Sequence, residues 1–383
     1  MKYLLLLAVA ACAVDADDPP GVDAQPIAAA PLLQGPVGEW TWFDLPGAVC
    51  GYGQQTGIGV SVGAGSDVLI YLEGGGLCWD EVSCEVNVGP VVLASYFTNG
   101  FTKATFDGIL AGGGYSAGIF DRTLANNPYK DATQIYVPYC TGDVHTGSTK
   151  RYFPFAQQVA HFAGRENLEL ALAAITASFP ATTRVTLSGS SAGGYGALFN
   201  FPRVQEVFGA TRVDLVSDSG PVFSFSPFLQ QGYPVWNTNA VIPDDCEACL
   251  ADYHNLYDYY ARTYSGSRMA FVSHDEDLVI AAGHLQLPYP SFYFTMKAFT
   301  QGTLAPLANW RYFVAAGTGH TSVYELREPS IQKQRICLAR ILGTCLAYDP
   351  FHEIEVSRTV LADWLTQMAT DDPAWANTTS INQ

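Results

Sequence analysis

Residues 184–200, RVTLSGSSAGGYGALFN, predict a strand, a tight turn and a helix in succession. The apolar and β-branched start is typical of a buried strand, and the run after the glycines is typical of a helix. Between them, residues 189–193 form the pattern G-x-S-x-G, with Ser191 at its centre. A sharp strand-to-helix turn forces such a serine into strained backbone geometry and requires small neighbours. Ser191 is therefore the candidate nucleophile, and a Gly-Ser turn without chemistry is the alternative.

Other apolar runs predict further strands of the same sheet. They cover residues 67–74, 133–140, 183–189, 213–220, 268–274 and 309–317, and helix-like segments cover residues 164–179 and 193–208. Strands that are apolar almost throughout fit a parallel sheet that is covered on both faces. Alternating strands and helices therefore predict an α/β fold with a mostly parallel central sheet and helices on both sides.

Composition and charge limit which molecules the protein can bind or act on. Hydrophobic residues make up 48% of the 383 residues, which is enough for a large core, and the formal net charge is −17. That charge disfavours nucleic acid, whose phosphates require Lys and Arg. It would also repel a polyanionic substrate at long range.

The amino-terminal residues predict export. One lysine and a short apolar run favour a signal peptide over residues 1–11, and residues 9–12, VAAC, resemble a bacterial lipobox. Cys12 would then carry lipid, which would be the chain's means of membrane contact in an outer-membrane lipoprotein. Ordinary cleavage and simple secretion are the alternative. We expect a flexible tether over residues 12–36, a single catalytic domain over residues 37–370 and a carboxyl-terminal tail over residues 371–383.

Cysteine usage agrees with an oxidising compartment, because eight cysteines remain after Cys12. The close pairs Cys78–Cys84, Cys246–Cys249 and Cys337–Cys345 are the first candidates for disulfides, which leaves Cys50–Cys140. The sequence alone does not fix the pairing. A zinc site at Cys246 and Cys249 lacks a second nearby Cys or His pair, so neither a metal nor another cofactor is expected.

A glycine run supplies the candidate oxyanion hole. The strand over residues 67–74 leads into Gly74, Gly75 and Gly76, where backbone N–H groups can approach a substrate without intervening side chains. We expect the N–H groups of Gly75 and Gly76 to act with that of Ala192. A plain loop is the alternative.

A candidate base and acid follow later strands. His320 comes after a late apolar strand among small residues, whereas His352 is interpreted as a surface residue and His145 as part of a pocket wall. Asp277 is the favoured acid and Asp275 the close alternative, because a carboxylate is needed to hold the imidazole tautomer. Asp218, which also ends a strand, is a secondary candidate or a structural residue near the site.

Taken together, the segments YLEGGGLCWDEVSC, YCTGDVHTG, SGSSAGGYGALFN, VSDSGP and GTGHTS resemble the pectin acetylesterase family, which includes the Notum carboxylesterases. The resemblance runs from about residue 40 to residue 321. It implies an α/β-hydrolase-like fold and a serine esterase with Ser191 as nucleophile, His320 as base and Asp277 or Asp275 as acid. It also supports the pair Cys78–Cys84.

The leading hypothesis is an exported enzyme that removes O-acetyl groups from a polysaccharide through an acyl-enzyme. One alternative is a lipase or depolymerase-like esterase that takes longer acyl chains. Another is a carbohydrate-binding protein on a hydrolase scaffold that has lost catalysis. The sequence gives neither the alcohol half of the ester nor the oligomeric state.

Overall fold

A computed structural model describes residues 30–85, 94–284, 291–324, 351 and 354–381. The strands are β1 (Trp40–Val49), β2 (Gln55–Ser61), β3 (Val68–Leu72), β4 (Thr133–Val137), β5 (Thr149–Phe153), β6 (Gln158–Phe162), β7 (Arg184–Ser190), β8 (Arg212–Asp218), β9 (Met269–His274), β10 (Trp310–Ala315), β11 (Glu355–Val356), β12 (Thr359–Val360) and β13 (Thr378–Thr379). The α-helices are α1 (Glu81–Glu85), α2 (Lys103–Ala111), α3 (Gly164–Ser178), α4 (Ala192–Phe208), α5 (Pro227–Trp236), α6 (Glu247–Ala251), α7 (Leu256–Thr263), α8 (Ser291–Ala298) and α9 (Leu361–Ala369).

Nine of the described strands form one sheet in the order β1-β2-β4-β3-β7-β8-β9-β10-β13. The pairs from β4 through β13 are parallel, whereas β1 and β2 add an antiparallel edge. The mostly parallel α/β sheet predicted from the sequence is therefore confirmed. Because the strands around β7 run in parallel, their carboxyl ends meet at one edge, where sites gather in such folds.

Strand β3 is buried at every position because helices cover both faces of the sheet. In β3, Val68, Ile70 and Leu72 pack into one core, which includes residues of α3, α4 and α7. Leu69 and Tyr71 pack into the other core with residues of α2 and α9. Since neighbouring strand residues point to opposite faces, a strand that is buried on both sides needs apolar residues at every position.

The segment from residue 371 onward differs from the expected tail. Thr378 and Thr379 pair in parallel with β10, and Trp375 is buried. The guanidinium groups of Arg268 and Arg311 lie 5.1 and 5.7 Å from the Trp375 ring centroid. The buried Trp375 ring, with two guanidinium groups over it, holds this segment against β10.

Disulfides join Cys50 to Cys140, Cys78 to Cys84 and Cys246 to Cys249. The expected Cys337–Cys345 pair, the lipobox Cys12 and His352 lie outside the described residues. Among the helices that the structure describes, none is long and apolar enough to span a bilayer.

Candidate active site

Ser191 lies at the turn between β7 and α4, where its backbone has φ 57° and ψ −122°. This left-handed conformation is strained for a residue with a side chain, and such strain is typical of functional positions. Its N–H donates to the carbonyl of Asp218 at 2.8 Å, which ties the turn to the end of β8. The side chain therefore stands at the carboxyl edge of the sheet, in the geometry that the G-x-S-x-G pattern predicts.

Gly193 lets helix α4 begin directly against β3. A Cβ atom at this position would lie 1.9 Å from the carbonyl oxygen of Leu72 and 2.8 Å from that of Glu73. No side chain can occupy that space, because the atoms in the way belong to backbone. The glycines around Ser191 thus bring this side chain close to the loop that follows β3.

The loop after β3 carries the glycine run. Gly75 has φ 150° and Gly76 has φ 79°, and a Cβ atom at Gly75 would lie 2.8 Å from that of Ser95. A Cβ atom at Gly74 would lie 2.9 Å from the Cβ of Ser191, so this loop runs beside Ser191. Within the described part of the chain, the N–H groups of Gly75, Gly76 and Ala192 have no hydrogen-bond acceptor.

His320 and Asp277 meet beyond β10 and β9. Nδ1 of His320 lies 2.8 Å from Oδ2 of Asp277, and the carboxylate is completely buried. The other carboxylate oxygen accepts the N–H groups of Val279 and Ile280 at 2.9 and 3.0 Å. An ionised carboxylate only accepts hydrogen bonds, so this contact favours the tautomer with the proton on Nδ1, in which Nε2 is the acceptor.

Asp275 has a different role in the structure. It accepts the N–H of Gly317 at 2.7 Å and the hydroxyl of Ser380 at 3.3 Å, and burial raises its pKa. Its hydrogen bonds therefore hold the strand that leads to His320, and the imidazole itself contacts Asp277.

Ser191 and His320 are both attached to the end of β8. The Asp218 carbonyl accepts the Ser191 N–H, and the hydroxyl of Ser219 donates to the carbonyl of His320. Among the described residues, no hydrogen bond joins the Ser191 hydroxyl to the imidazole. Such contacts are often long without substrate and tighten in the reacting complex.

Comparison with known proteins points to one family. The family model described as Pectinacetylesterase matches residues 43–232, a little under half of the chain. The match supports the pectin acetylesterase family. It contains the glycine run and Ser191, whereas Asp277 and His320 lie beyond it.

Individual relatives agree with that match. Pectin acetylesterase 7 of Arabidopsis thaliana is 28% identical over 178 residues, covering 45% of this chain and 42% of the relative. Palmitoleoyl-protein carboxylesterase notum2 of Xenopus laevis is 25% identical over 205 residues, covering 47% and 38%. Palmitoleoyl-protein carboxylesterase NOTUM of Homo sapiens is 27% identical over 200 residues, covering 46% and 38%. The matched part of the chain spans about two fifths of the length of each relative.

His145, interpreted from the sequence as part of a pocket wall, is buried beneath the glycine run. Its Nε2 lies 2.8 Å from the carbonyl oxygen of Glu73, which makes Nε2 the donor. Burial lowers the pKa of His145 to about 4, so the ring is neutral at pH 7. Its backbone N–H donates to Asp143, whose pKa burial raises to about 6. His145 thus supports the strand end from which the glycine run starts.

His274 is a site neighbour that the sequence reasoning did not identify. It ends β9, and a Cβ atom at Gly319 would lie 2.6 Å from its ring, so the imidazole packs under the residue before His320. Burial lowers its pKa, while the nearby Asp277 opposes that effect. The sequence feature that could have identified His274 is its position at the end of a predicted strand.

Proposed function

We propose that this chain is an exported serine carboxylesterase, and that its leading substrate is an O-acetylated polysaccharide. The observation that carries the proposal is the buried 2.8 Å hydrogen bond between His320 and Asp277. A binding module has no use for an imidazole held in one tautomer. An acyl-transfer enzyme needs that tautomer, because Nε2 must accept the proton of the nucleophile.

In the proposed reaction, the Ser191 hydroxyl attacks the ester carbonyl while Nε2 of His320 takes its proton. The oxygen of the carbonyl becomes an oxyanion that the N–H groups of Gly75, Gly76 and Ala192 stabilise, each by about 3 kcal/mol. Nε2 then protonates the leaving alcohol, and water repeats the sequence on the acyl-enzyme. The mechanism requires the serine–histidine hydrogen bond to form when substrate binds.

Three features support the substrate and the location. The relatives include a plant pectin acetylesterase, and disulfides such as Cys50–Cys140 fit an oxidising compartment. The net charge of −17 favours a weakly charged acetylated glycan over a polyuronate. We also propose that residues 1–11 are a bacterial lipoprotein-type leader, that a tether follows it and that Cys12 carries lipid. Leu33, within the expected tether 12–36, is buried and its N–H donates to the Ser178 hydroxyl at 2.8 Å, so the proposed tether ends before it. Labelling of the wild type with radioactive palmitate, absent from Cys12→Ala, would support the anchor.

A second candidate is an esterase for longer acyl chains. Leu278 follows the acid directly and is 52% exposed, and Phe225, in the loop after β8, is 59% exposed. An apolar side chain that remains in water directly after the acid, as Leu278 does, is suited to contact an acyl chain.

Hydrolysis of p-nitrophenyl acetate, butyrate and palmitate tests both candidates. We expect turnover that disappears in Ser191→Ala, with acetate preferred. A preference for palmitate would favour the second candidate. Hydrolysis that Ser191→Ala leaves unchanged, or no hydrolysis by a folded wild type, would refute the esterase and favour a carbohydrate-binding protein.

A further inference from the structure

A second buried carboxylate, Asp218, lies between the nucleophile turn and the histidine loop. It is the last residue of β8, opposite Ser190 in the register of the two parallel strands. Its side chain is completely buried, and the esterase mechanism described above does not use it. A buried carboxylate is costly unless hydrogen bonds satisfy it, so its partners indicate its role.

One oxygen of this carboxylate accepts three hydrogen bonds from both sides of the site. The hydroxyl of Ser190 donates to it at 2.8 Å, and the N–H groups of Ser322 and Val323 donate at 2.8 and 3.0 Å. Ser190 precedes the nucleophile, and Ser322 and Val323 follow the base by two and three residues. The carboxylate therefore joins the two segments directly.

The backbone around Asp218 makes the same connection. Its carbonyl accepts the N–H of Ser191 at 2.8 Å, and the hydroxyl of the next residue, Ser219, donates to the carbonyl of His320. Asp218 and Ser219 thus contact the backbone of both proposed catalytic residues. The chain separates these residues by more than a hundred positions, so local structure alone cannot fix their distance.

We propose that Asp218 is a positioning residue that holds the His320 loop against the Ser191 turn. This inference rests on the function proposed above. Charge matters to this role, because an anionic acceptor makes shorter hydrogen bonds that are roughly twice as strong as neutral ones. Loss of the charge loosens the loop, and a displacement of about 1 Å in a reacting group can cost about 10²-fold in rate.

Asp218→Asn tests the proposal, with Asp214→Asn as the matched control. Asp214 is a buried carboxylate on the same strand, but it lies at the amino end, where it accepts from Arg212 and from the N–H of Arg268 at 2.7 Å. We expect Asp218→Asn to lower kcat for p-nitrophenyl acetate by about 10²-fold with little change in KM. The control should lower the unfolding midpoint and keep kcat near the wild-type value.

A pH profile separates positioning from general stability. Burial raises the pKa of Asp218 to about 6, and the hydrogen bonds from the Val323 and Ser322 N–H groups and from Ser190 oppose that effect. The titratable groups that face it are His320 and the phenol of Tyr71. As pH falls through about 6, the carboxylate takes up a proton and the loop loosens. Wild-type log kcat should therefore fall more steeply below pH 6 than that of Asp218→Asn.

Hydrogen exchange keeps the proposal testable without catalysis. The amides of Ser322 and Val323 should exchange at least about tenfold faster in Asp218→Asn than in the wild type, because their acceptor loses its charge. If Asp218→Asn does not fold, Ser219→Ala removes the bond to His320 without leaving a buried charge, and it should lower kcat by roughly 5-fold.

The outcomes distinguish the two proposals. An active wild type with unchanged kcat and unchanged exchange in folded Asp218→Asn would overturn the positioning role and leave the esterase intact. If Asp218→Asn does not fold, protection of the Ser322 and Val323 amides in the wild type that stays unchanged as pH falls through about 6 would overturn it. A wild type that hydrolyses no ester, yet shows the exchange difference, would overturn the esterase and keep the loop contact.

Discussion

Asp277→Asn preserves the shape of the proposed triad acid but replaces one acceptor oxygen with an NH₂ donor. In the wild type, one oxygen accepts the N–H groups of Val279 and Ile280, and the other accepts Nδ1–H of His320. The asparagine amide has one oxygen, which can face either the two backbone N–H groups or the imidazole.

The backbone N–H groups determine which of the two amide orientations is favoured. With the amide oxygen toward Val279 and Ile280, both hydrogen bonds survive, and the NH₂ group donates to Nδ1 of His320. The imidazole then holds its proton on Nε2 and cannot act as base. The opposite orientation leaves the N–H groups of half-buried Val279 and buried Ile280 without an acceptor, at about 1–3 kcal/mol each. The inactive tautomer is thus favoured by about 2–6 kcal/mol, which lowers the active fraction by roughly 30-fold to 10⁴-fold.

The assay is kcat/KM for p-nitrophenyl acetate, with unfolding midpoints to show that each variant is folded. Asp275→Asn is the matched control, because among the described residues that carboxylate accepts from Gly317 and Ser380 and not from the imidazole. Weakening its bond to Gly317 should lower kcat/KM by about 5-fold at most. Near-normal activity in Asp277→Asn, with the large loss in Asp275→Asn instead, would refute the assignment of the acid.

Two further predictions concern stability. The pKa of His145 falls from 6.5 in the unfolded chain to about 4 in the fold, so below pH 6.5 the unfolded state binds a proton that the native state lacks, and stability is lost as pH falls. Urea unfolding should show that the wild type loses about 2–3 kcal/mol more than His145→Gln between pH 7 and 4.5, and equal losses would contradict the assigned burial effect. The Cys50–Cys140 disulfide closes a separation of 90 residues and Cys78–Cys84 one of 6, so removing the first pair should cost about 4–5 kcal/mol and the second about 2. Thermal or urea unfolding of the two double alanine variants checks this order, which a larger loss from the shorter loop would contradict.

Local signals predicted the elements that carry the site. The apolar run ending at residue 74 became β3, and the pattern around Ser191 became a strand, a strained turn and α4. Both follow from short-range causes, since burial on two faces selects apolar residues and a sharp turn selects glycine. The glycine run could be read in the same way, because φ at Gly75 and Gly76 is positive.

Non-local contacts account for what the sequence missed. The segment 371–381 has an acidic, polar composition that is typical of a tail. Yet Asp371 bonds Arg184 and Arg212 at 2.7 and 2.8 Å, at the start of neighbouring strands, and Trp375 is buried beneath two arginines. No local pattern reports partners that lie 64 or more residues away along the chain.

The amino-acid order by itself determined the α/β class, the turn around Ser191 and the loop of glycines, because sterics and hydrophobic periodicity act over a few residues. Only the tertiary structure decided which carboxylate meets His320 and where Asp218 directs its hydrogen bonds. Asp275 and Asp277 are two positions apart and chemically alike. The path of the chain after β9 places one against the backbone of Gly317 and the other, 43 residues from His320, against its imidazole.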